Sequence, residues 1–423
     1  MLSKAKNTFT EKAFVSISSF LNYIFPLNTF ILYTFAKKER NMFMKTRLSA
    51  TFIHLLFAVS AVMAQEQYSN PVINESLPDP TVIKADDGYF YLYATENIRN
   101  VPIYRSENLV DWRRVGTAFN ERTRPQMVPK GNIWAPDINL INGKYVMYYS
   151  KSTWGGEWEC GIGVATADRP SGPFTDVGKL FISSEIGVQN SIDPFYIEEE
   201  DGSKYLFWGS FRGIYGIQLS DDGLSLKSGA QKVQIAGTLT EGTYIYKHDG
   251  YYYLFGSAGT CCEGLNSTYR VMVARSENLL GPYVNKSGKS ALENNFMLVM
   301  QKSNKVVGPG HNSEIVKDDA GQYWMLYHGF DAADPDGGRK VYLDQILWDK
   351  DGWPIVRNRV PSTTANVPIF NKEAGIWDVK TNVDETKAIS TYTLGGLPIG
   401  FHTQPQIVIE QLDGGLSRKI VKK

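Results

Sequence analysis

The chain has 423 residues, 43% of them hydrophobic and 13% aromatic, which supplies a sizeable packed core and excludes a disordered chain. Its formal net charge of +0 excludes a polyanion such as a nucleic acid as the main partner, because neutralising phosphates needs a basic stripe. Three cysteines are too few for a disulfide framework or a metal cage.

In chain order, residues 1–43 hold an apolar stretch interrupted by Asn22, Pro26 and Asn28. They are read either as an over-extended start upstream of Met44 or as an N-terminal anchor. Residues 44–64 read as a signal peptide: Met44-Lys45-Thr46-Arg47 is a basic head, a short apolar run follows, and Val62-Met63-Ala64 is a small-residue exit. The run is shorter than the roughly 20 residues of a membrane span. The expectation is a secreted or periplasmic protein, without stable membrane insertion once the signal is removed.

Residues 65–370 repeat one unit five times. The aromatic runs Tyr89-Phe90-Tyr91-Leu92-Tyr93, Lys144-Tyr145-Val146-Met147-Tyr148-Tyr149, Lys204-Tyr205-Leu206-Phe207-Trp208, Tyr251-Tyr252-Tyr253-Leu254-Phe255 and Tyr323-Trp324-Met325-Leu326-Tyr327 each follow a turn signal. Those signals are Asp87-Gly88, Asn142-Gly143, Asp201-Gly202, Asp249-Gly250 and Asp319-Ala320-Gly321. Asp-Gly and Asn-Gly favour tight hairpins in which both turn residues take positive φ. A second strand-like stretch precedes each turn, at 80–84, 138–141, 194–198, 243–247 and 313–317. The units recur about 50–70 residues apart, enough for a sheet of about four strands. Five such sheets set radially make an all-β, five-bladed β-propeller. Residues 371–423 lack the pattern and are read as a closing strand or a tail.

A polar residue opens each first strand: Asp79, Asp137, Asp193, Glu241 and His311. Innermost strands converge on the propeller axis, so all five are expected at one mouth of the channel. Clustered carboxylates among aromatics suit glycosidic hydrolysis, which needs a carboxylic acid for the leaving oxygen and a carboxylate on the other face. Nucleophile-elbow, P-loop and HExxH patterns are absent, so no organic cofactor is expected. Trp134 is expected to bind substrate, and Trp154 and Trp158 sit in a Gly-rich loop that suits a sugar subsite. Cys261-Cys262 is either a vicinal disulfide or a pair of buried thiols.

The ordered motifs Leu77-Pro78-Asp79-Pro80, Trp134-Ala135-Pro136-Asp137, Ser191-Ile192-Asp193-Pro194 and Glu241-Gly242-Thr243-Tyr244-Ile245 resemble glycoside hydrolase family 43. The stretch Cys261-Cys262-Glu263-Gly264-Leu265-Asn266-Ser267-Thr268-Tyr269-Arg270-Val271 points to its arabinanases and α-L-arabinofuranosidases. The resemblance implies cleavage of α-1,5-linked arabinan or arabino-oligosaccharides from plant cell walls, with inversion of configuration. It assigns Asp79 as general base, Glu241 as general acid and Asp193 as the residue that raises the acid's pKa. It implies that Asn190 and Ser210 contact the sugar; Asp137, which completes the ring of strand-opening residues, is expected to bind substrate. The resemblance also links His311 to a calcium or other cation in the central channel. A pentosidase such as a β-xylosidase, or a non-catalytic sugar-binding propeller, is the alternative on the same scaffold.

Overall fold

The computed structural model describes residues 66–370 except Pro129, together with the backbone of three later strands. The signal-peptide reading of 44–64 and both readings of 1–43 lie outside the described residues. A short strand, β1 (Gln67–Ser69), precedes the first blade. Blade I is β2 (Thr81–Lys84), β3 (Phe90–Tyr93), β4 (Pro102–Ser106) and β5 (Arg113–Thr117). Blade II is β6 (Asn132–Ile141), β7 (Lys144–Ser152), β8 (Gly161–Ala167) and β9 (Thr175–Ile182). Blade III is β10 (Phe195–Glu198), β11 (Lys204–Trp208), β12 (Ile214–Gln218) and β13 (Val233–Ala236). Blade IV is β14 (Thr240–His248), β15 (Tyr251–Ala258), β16 (Arg270–Ser276) and β17 (Met297–Met300). Blade V is β18 (Val306–Gly310) and β19 (Ile315–Lys317), both paired with β20 (Tyr323–Asp331), then β21 (Arg339–Trp348) and β22 (Pro354–Val356).

Every blade is an antiparallel meander with strands in chain order. The predicted aromatic runs become the second strands β3, β7, β11 and β15, and β20 in blade V. They are buried on both faces because each sheet packs between two others. Apolar layers fill the gaps: Tyr93, Ile103, Phe119 and Met147 between blades I and II, and Tyr148, Phe181, Leu206 and Trp208 between II and III. A larger layer containing Phe255, Val273, Tyr327 and Tyr342 joins blades III, IV and V.

The turns are of two kinds. Asn142-Gly143 and Asp249-Gly250 make the expected two-residue hairpins, with φ of 50° and 77°, and 46° and 81°. In blades I, III and V the turn is longer, and only the glycine is left-handed. There an aspartate accepts a nearby backbone N–H instead, as Asp87 Oδ1 does from Tyr89 (3.1 Å) and Asp201 Oδ1 from Ser203 (2.8 Å).

The ring closes through its N-terminal segment. The β1 strand pairs with β23 (Thr364–Asn366), Leu77 N–H donates to Arg339 O at 2.9 Å, and the Asn70 side chain both donates to the Leu343 carbonyl (2.8 Å) and accepts from its N–H (3.0 Å). Tyr68, Ile73 and Leu77 thereby enter the layer between blades V and I, with Trp324 and Leu326. Beyond the blades, β24 (Ala388–Thr393), β25 (Gln406–Leu412) and β26 (Ser417–Lys422) form a separate antiparallel sheet.

Candidate active site

The five inner strands enter the ring through the same backbone feature. One residue at the head of each has left-handed φ: Asp79 (55°), Ala135 (39°), Asp193 (59°), Gly242 (61°) and His311 (46°). Such backbone costs a non-glycine residue about 1–2 kcal/mol, and strain of this kind gathers at functional sites. At the same point β6, β14 and β18 each break register, between Trp134 and Asp137, Glu241 and Tyr244, and Val307 and Gly310. A bulge re-aims the side chains around it.

This backbone register corrects the sequence register in two places. Glu241 stands one residue before its blade's left-handed position, and the bulge turns its side chain to the axis. Asp137 stands two residues after Ala135, about 7 Å further along the strand. It is therefore not at the mouth. Its Oδ2 accepts from Asn139 Nδ2 (2.7 Å) and from the Tyr196 N–H (2.9 Å) inside the channel wall. Burial and the nearby charge of Glu314 push its carboxyl well above the ordinary carboxylate range.

A cavity of about 340 Å³ opens at the heads of the strands, lined among others by Asp79, Trp134, Asn190, Asp193, Ser210, Glu241 and His311. Of the residues singled out from the sequence for the site, Asp137 and Trp158 do not line it.

Asp79 is held as an anion. Its Oδ2 accepts from Thr95 Oγ1 (2.6 Å), while Oδ1 lies 3.2 Å from both Arg339 Nη1 and His311 Nδ1. Burial alone would favour the neutral acid, but the charges of Arg339 and His311 outweigh it and hold the carboxyl well below its usual range. The Asp79 N–H donates to His328 Nδ1 at 3.1 Å. Burial lowers the His328 pKa to about 4, so this ring is neutral. Its 3.2 Å approach to Asp79 Oδ1 is thus a close contact, not an ion pair.

Glu241 and Asp193 behave in the opposite way. Ser210 Oγ donates to Glu241 Oε2 (2.6 Å) and the Tyr269 hydroxyl to Oε1 (2.8 Å). Asn190 Nδ2 in turn donates to Ser210 Oγ (2.9 Å), fixing the hydroxyl's direction. These donors favour the anion, yet burial prevails and raises the Glu241 pKa. Asp193 Oδ2 accepts from the Gly242 N–H (3.0 Å), and burial, with the charges of Glu241 and Asp79, pushes its pKa up to about 7. Like charges in one dry site titrate as a pair and retain a proton. Burial opposes the His311 charge, but Asp79, Asp193 and Glu241 together raise its pKa to about 9.

The residues present do not form a calcium cage. Calcium takes six to eight oxygen ligands, and no group of three or more His, Cys, Asp or Glu side chains converges on one point among the described residues. His311 is moreover paired with Asp79 through Nδ1.

Sequence reasoning missed Thr95, Tyr269 and Arg339. Tyr269 lay inside the quoted Cys-Cys stretch, but nothing marked its hydroxyl as a partner of Glu241. Arg339 opens β21 after Gly337-Gly338, at the far end of a hairpin with no signal of its own. Glu96, buried and paired with Arg124, accepts from the Ile133 N–H (2.8 Å) and so sets the strand that carries Trp134. Cys261 and Cys262 form a vicinal disulfide on the cavity wall, and Cys160 is a buried free thiol.

The cavity can thus bind an uncharged, hydroxyl-rich ligand and offers a proton acceptor and a proton donor to it. The sequence pattern of glycosyl hydrolases family 43 matches residues 68–354. An extracellular endo-α-(1→5)-L-arabinanase of Bacillus subtilis is 34% identical over 333 residues, 75% of this chain and 98% of the relative. An extracellular exo-α-(1→5)-L-arabinofuranosidase of Cellvibrio japonicus is 30% identical, over 66% of this chain and 85% of that protein. The structure of Cellvibrio cellulosa α-L-arabinanase complexed with arabinohexaose superposes with a TM-score of 0.61 at 30% identity, covering 66% of this chain and 95% of that one.

Proposed function

The chain belongs to glycosyl hydrolases family 43, and from that premise we propose that it cleaves α-1,5-linked L-arabinofuranosyl bonds in arabinan or arabino-oligosaccharides. Asp79 acts as general base, Glu241 as general acid, and Asp193 keeps that acid protonated. The observation that carries this reading is the split within one cavity: Arg339 and His311 flank Asp79 and hold its carboxyl well below the usual range, while burial pushes Glu241 and Asp193 up.

The steps follow from that split. Asp79 takes a proton from a water molecule, whose oxygen attacks the anomeric carbon. The glycosidic bond breaks as Glu241 delivers its proton to the leaving oxygen, and the configuration inverts. Asn190 and Ser210 orient Glu241 and border the sugar. Arg339 and His311 hold Asp79 in place and lower its pKa, so it stays ready to accept the proton. Relatives named as extracellular support export of the protein.

The test is hydrolysis of linear arabinan, arabino-oligosaccharides and aryl arabinofuranosides by the purified protein. General acid–base groups contribute about 10²–10⁴-fold. Glu241→Gln and Asp79→Asn should each lose rate on that order while still binding oligosaccharide. Proton NMR of the first product should show the inverted anomer. Failure to cleave any of these substrates would overturn the substrate, and retained configuration would overturn the single displacement.

A further inference from the structure

We propose that Thr95 is the positioning residue of the general base: oriented by the Ala135 N–H, its hydroxyl holds the Asp79 carboxylate so that Oδ2 receives the proton of the attacking water. This deepens the reading of Asp79 as general base and rests on it.

A threonine hydroxyl has one proton to give. Thr95 Oγ1 accepts from the Ala135 N–H at 2.7 Å, so that proton is directed to Asp79 Oδ2, 2.6 Å away. The acid carries the same order of groups, with Asn190 Nδ2 donating to Ser210 Oγ and Ser210 Oγ to Glu241 Oε2. Blade II thus serves the base through its backbone. Its left-handed head residue, Ala135, has no polar side chain to bring to the axis, but the bulge there presents an N–H to Thr95.

Thr95 is itself held on both sides. It follows β3, is 5% exposed and lies on the cavity wall. Its N–H donates to Pro78 O (2.9 Å), one residue before Asp79. The Glu96 N–H donates to Ile133 O (3.1 Å), and Glu96 Oε1 accepts from the Ile133 N–H (2.8 Å). A β-branched side chain has few χ1 choices, so this backbone fixes the hydroxyl. The two Asp79 oxygens then differ. Oδ1 is crowded by Arg339 Nη1, His311 Nδ1 and His328 Nδ1, each at 3.2 Å. Among the described residues Oδ2 receives one hydrogen bond, from Thr95, which leaves a lone pair for water. In the reaction the water O–H bond breaks towards Oδ2 and the water oxygen bonds the anomeric carbon. The leaving oxygen takes the Glu241 proton.

The experiment measures kcat and KM on 4-nitrophenyl arabinofuranoside for Thr95→Val, which keeps the shape and loses the hydroxyl. Misplacing a reacting group slightly is costly, so kcat should fall about 10–100-fold with KM nearly unchanged. Thr95→Ser should recover most of the loss. In an Asp79→Asn background Thr95→Val should cost little more, as expected of two residues acting as a unit. An unchanged kcat in Thr95→Val, or a loss carried by KM, overturns the proposal. So does a Thr95→Ser variant as slow as Thr95→Val, or a full further loss in the Asp79→Asn background. Should Thr95→Val fail to fold, Thr95→Ala takes its place with the same expectations. If the protein cleaves another pentose series instead, the substrate reading fails, and the same variants on that series still decide the role of Thr95. If Asp79→Asn keeps the wild-type rate, or no glycoside is cleaved, both fail.

Discussion

Asp79 and Glu241 are both buried carboxyls, yet their neighbours drive them apart. A guanidinium and an imidazolium face Asp79, whereas hydroxyls and a second carboxyl face Glu241. Arg339 is the more decisive partner for Asp79, because its charge is the largest influence that opposes burial there. Replacing it by Gln removes the charge and leaves a donor of similar reach. The Asp79 pKa should then rise, so the base is protonated at pH values where the wild type is still active. The acidic limb of the kcat/KM profile should move up by on the order of one pH unit. A limb that stays in place would show that Arg339 does not tune the base. The basic limb reports the opposite pair, both pushed up by burial, and activity should fall as pH rises through about 7, where Asp193 loses its proton. Gly242 has a separate role at this scale. It combines φ of 61° with a position where a Cβ would stand 3.1 Å from the His311 ring, so a larger residue would press on His311 where the Gly242 N–H donates to Asp193.

At the scale of single elements, the hairpins divide by how their aspartate or asparagine spends its side chain. In the β6–β7 and β14–β15 turns both residues are left-handed, and the two strands follow directly. Gly143 has nothing within 4 Å of a built Cβ, so Gly143→Ala tests backbone strain without a clash. It should cost about 1–2 kcal/mol, read as a melting temperature lower by a few degrees. No change in melting temperature would mean the turn tolerates the substitution by shifting its backbone. Five repeating aromatic runs were legible in the sequence because strand composition and turn residues recur together. The turn lengths of blades I and III were not legible, because Asp87-Gly88 and Asp201-Gly202 look identical to a two-residue turn until the aspartate bonds its neighbour. The register of Asp137 was lost for a similar reason. A bulge adds no residue type of its own, so the offset between Ala135 and Asp137 leaves no mark in the chain. Residues that open strands were found by pattern. Thr95, Tyr269 and Arg339 reach the site from later in their hairpins, where no pattern points.

Across the whole molecule, the five sheets are held by apolar layers and by a few buried polar ties between neighbouring blades. Glu314 of blade V accepts from Thr81 Oγ1 and from the Val82 N–H of blade I, both at 2.6 Å. Asp137 of blade II accepts from the Tyr196 N–H of blade III. The two carboxyls influence each other across the channel wall. Burial pushes Glu314 up to about 7, and burial with the Glu314 charge pushes Asp137 well above its ordinary range. An unfolded chain gives up these protons near pH 4, so the folded state binds more protons than the unfolded one above that point. Their stabilising contribution is complete below about pH 4 and is lost progressively as the pH rises through about 7. Glu314→Gln removes one titrating group while keeping an acceptor for only one of the two blade I donors. At pH 5 the variant should therefore melt below the wild type. Towards pH 8 the wild type must ionise a carboxyl in the channel wall and the variant need not, so the gap should close or reverse. Thermal unfolding followed by circular dichroism between pH 5 and 8 reads this directly. Parallel curves for the two proteins would show that the Asp137–Glu314 pair does not couple ring stability to pH.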